Sequence, residues 1–514
     1  MNVLSWLIIE ERKAHSNGQN NHKTILLKVK ELDIKECFHY DHTDEESIMA
    51  RAKMLKGKTL GYISENSPYE EEAFKKSNKG NIGNFIEKHW FGILNNSNPA
   101  PDFEEAGIEL KVCPIRRSSG TLITDQRTKI CSIDFFKLYD ETWESSHVKN
   151  KLNKVLFIFY QRKEEHEDLY DKKILGAALW ELSKQDRLDT IVSDWHIAYN
   201  VNIHGMSHHL SETFFDILST SRTTGGAIID GEKDMVKQPN TNFKTYAKKR
   251  AFSLKSGFTR QFWDEYKKPK SFESIVETLK ISEVANFEEE LIKSFSPYVG
   301  KNIGEIVRHF AIPIPSSKSA VATIVKKMIG FKSVKSKIKE FEQLGILVKT
   351  IPIKTSDNSL FESISFPKFL IKEFTKENWD ESTFSNYINR ILFVPVSREK
   401  KKGVDIKDRV LEKPFFWSPS TSQLELIIDE WEMYKSQASE KLIIYEKPFK
   451  NKKGYIEQIT NLSNEKETKI IHIRPHGQNS KDRDEDNFGT SVIKQSFWLN
   501  KKFVKKLVID SLNE

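Results

Sequence analysis

The strongest constraint on this chain is that its sequence is written twice. GKTLG at Gly57–Gly61 returns as GKNIG at Gly300–Gly304, and DFEEAGIELKVCPI from Asp102 returns as EFEQLGILVKTIPI from Glu340. NFIEKHWFG, ending at Gly92, pairs with TIVKKMIG, ending at Gly330. TWESSHVKNKLNKVLF pairs with NWDESTFSNYINRILF, and AFSLKSGF with SFWLNKKF. The matches keep their order and are each displaced by roughly 240 residues, which coincidence does not produce. Such a chain folds as one domain used twice, and 514 residues suffice for two hydrophobic cores. The expected division is 1–270 for the first domain, 271–298 for a charged linker helix and 299–514 for the second domain.

Periodicity sets the class of that domain as α/β or α+β. Gly57 onward reads as a short helix, followed after a polar connection by an amphipathic helix through Ile82, Phe85, Ile86, His89 and Trp90. GIELKVCPI alternates as a strand, expected to end at Pro114 because proline brings no N–H to a ladder. KICSIDFF and KVLFIFYQ are further strands, the second apolar enough to lie centrally in a sheet. Helix is expected around Ala177–Leu188.

Composition narrows the function less than the repeat does. The net charge of +8 attracts polyanions in general, which is compatible with nucleic acid but does not single it out. The apolar run Leu4–Ile9 is too short for a membrane span, so a soluble, cytoplasmic protein is expected. Cys37, Cys113 and Cys131 have no CxxC spacing, which points to neither a disulfide framework nor a structural zinc. His196, His204, His208 and His209 fit no zinc pattern either and read as loop or core residues.

The chemistry is written in Asp102, Glu109 and Lys111. On a strand, residues two apart share a face, so Glu109 and Lys111 project together while Leu110 turns to the core. If Asp102 arrives from the preceding turn, two carboxylates meet beside an ammonium. That is the donor set for metal-assisted phosphodiester hydrolysis: hard oxygens for Mg²⁺ and a positive charge for the water and the phosphate. A solvated strand face is the competing reading. The second copy weighs against it: Glu109 becomes Leu347 and Glu87 becomes Val325, while Gly107, Ile108 and Pro114 persist as Gly345, Ile346 and Pro352. Asp102 becomes Glu340, Lys111 stays as Lys349, and Lys151 becomes Tyr387. The framework is kept and two of the acids are lost, as in a domain whose metal site has been removed.

The segments GNIGNFIEKHWFG, DFEEAGIELKVCP, TWESSHVKNKLNKVLF, KKRAFSLKSGF, IHIRPH and KQSFWLNKKFVKK resemble the MutH and Sau-three-A group of GATC-specific DNA endonucleases. The resemblance spans both halves, and its two-copy form is similar to the restriction enzymes of the group rather than to the single-domain nickase. It implies two restriction-endonuclease-like domains in tandem, each a mixed central sheet flanked by helices, with Mg²⁺-dependent cleavage of duplex DNA at GATC. It further implies a catalytic first copy and a pseudo-catalytic second copy that binds another site and regulates cleavage. Carried onto this sequence, it assigns the metal to Asp102 and Glu109, the motif lysine to Lys111, a helix glutamate to Glu87 and a second lysine to Lys151. DNA contacts fall on Arg222, Ser253 and Lys255 in the first copy and on Arg474, Trp498 and Lys501 in the second. Ser253 departs from the aromatic residue that the nickase has there.

The function expected is therefore a type II restriction endonuclease cutting both strands at GATC. The alternatives are a mismatch-repair nickase and a non-catalytic GATC-binding regulator. Partners expected are duplex DNA and a cognate methyltransferase in the same cell, with the protein a monomer that dimerises or loops on DNA.

Overall fold

The computed structural model describes residues 39–69, 81–94, 99–118, 121–124, 126–162, 168–185, 187–240, 243–267, 272–279, 287–312, 320–331, 337–379, 382–399, 405–450, 456–479 and 481–513. The expectations for residues 1–38, Cys37 included, fall outside them. The chain forms two compact units, residues 1–122 with 144–186, and residues 123–143 with 187–514.

The strands used below are, in the first repeat, β1 (Ile108–Ser118), β2 (Thr121–Ile123), β3 (Thr128–Ser132), β4 (Lys154–Gln161), β5 (Ile174–Glu181), β6 (Leu218–Arg222) and β7 (Arg250–Leu254). In the second they are β8 (Ile346–Lys354), β9 (Ile364–Phe369), β10 (Arg390–Arg398), β11 (Ile471–Pro475) and β12 (Gln495–Leu499). The helices that matter below are α1 (Asn81–Phe91), α2 (His147–Leu152), α3 (Leu188–Ile203), α4 (Ser256–Lys267), α5 (Ile275–Leu279), α6 (Phe287–Phe295), α7 (Lys339–Gln343) and α8 (Thr421–Ser439).

In the first unit the sheet order is β2-β1-β4-β5. β1 runs parallel to β4, with Glu109 opposite Val155 and Lys111 opposite Phe157, and β5 returns antiparallel. β4 is central and buried along its middle six residues, as its apolar run requires. The amphipathic face of α1 supplies Ile82, Phe85, Ile86 and Trp90 to a core shared with Ile108, Leu110, Leu156 and Ile158. His89, on the same buried face, stacks on Phe85 with ring centres 4.4 Å apart.

Two local expectations change. Residues 174–181, ILGAALWE, form strand β5 rather than helix; a single 3-10 turn follows at Leu182–Lys184, and α-helix begins only at Leu188. Helix-favouring Ala and Leu are overridden there by a ladder that runs the length of β4, from Lys154–Glu181 to Tyr160–Ile174. β1 also continues through Pro114 to Ser118. Its outer neighbour β2 is three residues long, and Pro352 lies likewise in β8, an edge strand of its sheet. A proline is tolerated where its missing N–H faces an open edge.

The second unit holds the antiparallel sheet β3-β7-β6, with Ser253 opposite Ser219 and Arg250 opposite Arg222. It also holds the parallel pair β8-β10, in which Leu347 stands opposite Ile391 and Lys349 opposite Phe393. That is the register of β1 on β4 repeated. The sheet β9-β12-β11 repeats β3-β7-β6, with Trp498 opposite His472. The aromatic-rich core of this half gathers Phe374, Trp379, Phe384, Phe393, Trp431 and Phe497. No helix among the described residues is long and apolar enough to cross a membrane.

Candidate active site

Glu109 is the centre of the site, and its place follows from alternation along β1. Leu110 is buried in the core, so Glu109 and Lys111 project to the opposite face. Glu109 is 2% exposed, and each of its oxygens meets an ammonium. Lys111 Nζ donates to Oε1 at 2.5 Å and Lys151 Nζ to Oε2 at 2.7 Å. Lys151 arrives from α2, whose first turn is fixed by Ser146 Oγ accepting from the Lys149 N–H. The same cap recurs at Ser382, before the matching helix of the second repeat.

Asp102 comes from the turn that feeds β1. Phe103 and Ile108 exchange backbone hydrogen bonds across it, and Gly107 closes it at φ +65°, a conformation glycine adopts without strain. One Asp102 oxygen, Oδ2, accepts from the Leu110 N–H at 2.8 Å, which leaves Oδ1 for another partner. Glu87 lies on α1, its carboxylate turned back along the helix toward Gly83.

The electrostatics show that these groups converge. Burial, and then the carboxylates of Asp102 and Glu109, push the Glu87 carboxyl up to about 7, against the pull of Lys111 and Lys151. Burial and Glu109 raise Asp102 too, opposed by Lys111 and by the Leu110 N–H. For Lys111 burial works downward, but Glu109 and Asp102 outweigh it, so the ammonium is held above its ordinary range and keeps its proton at neutral pH. The second repeat is the control. Lys349, at the position of Lys111, faces no acid because Leu347 replaces Glu109. Burial then brings it down to about 8, and its ammonium donates to the Ser365 carbonyl at 2.6 Å.

The donor set fits a hard divalent cation. The Glu109 carboxylate stands close enough to Asp102 to add to the effect of burial in raising the Asp102 carboxyl, a repulsion that positive charge relieves. Mg²⁺ needs only one or two protein carboxylates, the rest of its shell being water and phosphate. Among the described residues no group of three or more His, Cys, Asp or Glu side chains is poised to hold a metal ion. Glu109 is instead held by its two lysines.

The remaining expected residues lie in the second unit. Arg222 is exposed at the end of β6. Ser253 is 1% exposed and shares a hydrogen bond of 2.7 Å with Ser221 Oγ. Lys255 turns inward, its Nζ donating to the Phe215 carbonyl, and burial followed by Arg390 brings it down to about 8. Register places Asn500, not Lys501, opposite Lys255 in the repeat, and Asn500 Nδ2 donates to the Thr468 carbonyl at 2.9 Å. Lys501 begins the next helix and reaches the Phe361 carbonyl at 3.3 Å. Arg474 stacks on Trp498, its guanidinium 3.7 Å from the ring centre, and His476 packs on the same ring. His204 Nδ1 lies 2.7 Å from the Asn200 carbonyl, and His208 Nδ1 accepts from Gln238 at 3.1 Å. Cys113 and Cys131 are buried.

Sequence reasoning missed Asp194 and Glu430. Asp194 on α3 accepts the N–H groups of Asp216, Ile217 and Leu218, where the chain enters β6. Glu430 on α8 does the same for Lys469, Ile470 and Ile471 at the entry to β11. The signal was present: each acid stands directly before a tryptophan, Trp195 and Trp431, at matching places in the two copies.

The model of the MutH family, described as DNA mismatch repair enzyme MutH, matches residues 91–194 and again 329–430. The MutH protein of Shewanella amazonensis is 31% identical over 173 residues, which covers 75% of its length and 34% of this chain. The chain belongs to the MutH family. A further member of similar sequence is the type II restriction enzyme Sau3AI of Staphylococcus aureus, 28% identical over 505 residues that cover 91% of this chain and 99% of that enzyme. The MutH protein of Vibrio cholerae strain O395 matches 44% of this chain at 27% identity, over 97% of its own length. The two stretches matched by the family model contain the two copies of the Asp102 segment, with Glu109 and Lys151 in the first where the second has Leu347 and Tyr387.

Proposed function

We propose that the protein is a type II restriction endonuclease that hydrolyses both strands of duplex DNA at GATC, with Mg²⁺ as cofactor. The observation that carries this reading is Glu109, buried between Lys111 and Lys151 with Asp102 and Glu87 beside it, in a chain that belongs to the MutH family. The protein is a site-specific deoxyribonuclease; the restriction reading rests on a likeness that runs the length of a type II restriction enzyme.

Asp102 and Glu109 would hold the cation, which when bound polarises the scissile phosphate and a water. Lys111, protonated at neutral pH, donates to a water or phosphate oxygen, and Lys151 offsets the charge that grows on the phosphate. Glu87 supports the acid cluster from α1. Arg222 is suited to bidentate contact with guanine or phosphate, as is Arg474 against Trp498. Ser253, Lys255 and Lys501 complete the proposed DNA-facing strands and helix ends. The two copies are read as domains 1–270 and 299–514 joined by 271–298, the second binding another GATC site and raising the activity of the first. A methyltransferase of the same cell would protect its DNA.

The test is incubation of the purified protein with Mg²⁺ and a GATC-containing plasmid, beside Glu109→Ala. Linear product from the wild type alone is expected; an intact plasmid, or equal cutting by both, would sink the reading. A single nick on hemimethylated DNA would assign the protein to mismatch repair, and tight metal-independent binding without product would make it a regulator.

A further inference from the structure

The acid that replaces Asp102 in the second copy has not lost its employment. Glu340, on α7, is 2% exposed. Its Oε1 accepts from Ser274 Oγ at 2.5 Å and from the Val276 N–H at 3.4 Å, and its Oε2 accepts from the Ile275 N–H at 2.7 Å. These are the first donors of α5, so the carboxylate caps that helix from a distant part of the sequence. Arg187 Nη2 stands 3.8 Å from Glu340 Oε1, and the same guanidinium lies over the ring of Phe287 on α6 at 5.7 Å. A single buried carboxylate thus ties the segment between the copies to the residue that opens α3.

From α3 the connection runs to the exposed arginine of the first copy. Asp194 holds the N–H groups of Asp216, Ile217 and Leu218 at 2.7–2.8 Å, and β6 proceeds from there to Arg222. A second tie reaches the same place. Arg390, which opens β10 in the second copy, pairs with Asp216 at 2.7 Å and with Glu288 of α6 at 3.3 Å. The packing between α4 and the α7 turn leaves no slack, since a Cβ at Gly257 would stand 2.3 Å from the Glu342 carbonyl.

We propose that Glu340 is a positioning residue for DNA binding by the first copy: the vestigial metal acid has become the buried anchor, through Arg187 and α3, that holds β6 and Arg222 in place. The second copy is then a scaffold for the DNA-contacting strand of the first, whatever it binds itself. The proposal rests on the reading of Arg222 as a DNA contact.

The experiment uses the full chain with Glu340→Gln, which keeps the shape but loses the charge facing Arg187 and places an amide among N–H donors. Without DNA, backbone hydrogen exchange over residues 216–222 is expected to accelerate about tenfold or more, while residues 346–354 of β8 keep wild-type protection. The dissociation constant for a short GATC duplex in Ca²⁺ is expected to weaken about tenfold, with the single-turnover rate at saturating DNA within about twofold of wild type. Unchanged exchange at 216–222, or acceleration equal in β8, would overturn the proposal by making Glu340 idle or a general stabiliser. If Glu340→Gln does not fold, Arg390→Gln reaches Asp216 from the other side and is expected to give the same pattern, with the same result against it. Arg222→Ala separates the two readings. Unchanged affinity in that variant removes Arg222 as a DNA contact, while the exchange measurement still decides whether Glu340 holds β6.

Discussion

Glu109 is the structural keystone of the cluster, one carboxylate bonded to two ammonium groups. Its two ammonium partners are themselves largely buried, so its removal leaves like charges facing one another without the carboxylate that bonds to both. Glu109→Ala is expected to abolish detectable cleavage and to cost about 3 kcal/mol of stability, read by urea unfolding. A pH dependence belongs to Lys255. Its folded value is depressed to about 8 by burial and by Arg390, so between about pH 8 and 10.5 the unfolded chain binds the extra proton and the folded one does not. Stability is therefore expected to rise with pH across that window by about 1–2 kcal/mol relative to Lys255→Gln. A flat difference between the two proteins at pH 7.5 and 9.5 would contradict the assignment. The neutral Asn500, which makes the equivalent carbonyl contact in the second copy, shows that the position does not require charge.

Elements place these residues by devices that the two copies share. The turn before β1 and the turn before β8 both close on a glycine of positive φ, Gly107 at +65° and Gly345 at +64°, with nothing within 4 Å of where a Cβ would stand. The constraint is backbone conformation alone. Gly107→Ala is expected to lower stability by about 1–2 kcal/mol and to reduce cleavage by more than Gly345→Ala does, because Gly107 alone leads into intact acids. Equal effects of the two on the single-turnover rate would show that the turn does not set the site. The carboxylate clamps at Asp194 and Glu430 are a second shared device, each satisfying three successive N–H groups where a strand begins. Asp194→Asn is expected to expose the entry to β6, read as faster amide exchange at Ile217 and Leu218.

For the whole molecule, the two copies keep one strand register and differ in the side chains it presents. With Leu347 in place of Glu109, Lys349 donates to the Ser365 carbonyl rather than to a carboxylate at that position, and Lys349→Met is expected to leave the cleavage rate within about twofold of wild type, because it replaces a poorly solvated ammonium by an apolar chain. A large loss would mean that the second copy retains chemistry of its own. If the second copy engages DNA, plasmids with two GATC sites are expected to be cut faster than plasmids with one, and Arg474→Ala is expected to erase the difference. Side-chain contacts also join residues 123–143 and 187–267 to residues 337–390, among them Arg127 donating to Ser385 Oγ at 3.4 Å, Ser256 Oγ donating to Asn386 at 2.8 Å and Lys337 bonded to Asp264 at 2.6 Å. Residues 1–270 expressed alone are therefore expected to lose amide protection in β6 and β7.

The sequence by itself determined the repeat, the alternation that faces Glu109 and Lys111 together, the apolar β4 and the amphipathic α1, because each is a local period or a self-comparison. It also carried the Ser146 and Gly107 signals, which act within a few residues. Tertiary structure alone decided that ILGAALWE is a strand, since the choice rests on the length of ladder that β4 offers, and that Pro114 lies inside β1, since that depends on an open neighbouring edge. It also decided that Glu340 caps a helix sixty-odd positions away and that Lys255 points inward. A carboxylate or an ammonium reads the same in sequence whether it meets a metal, a phosphate or a backbone N–H. Only the fold brings the partner that tells them apart.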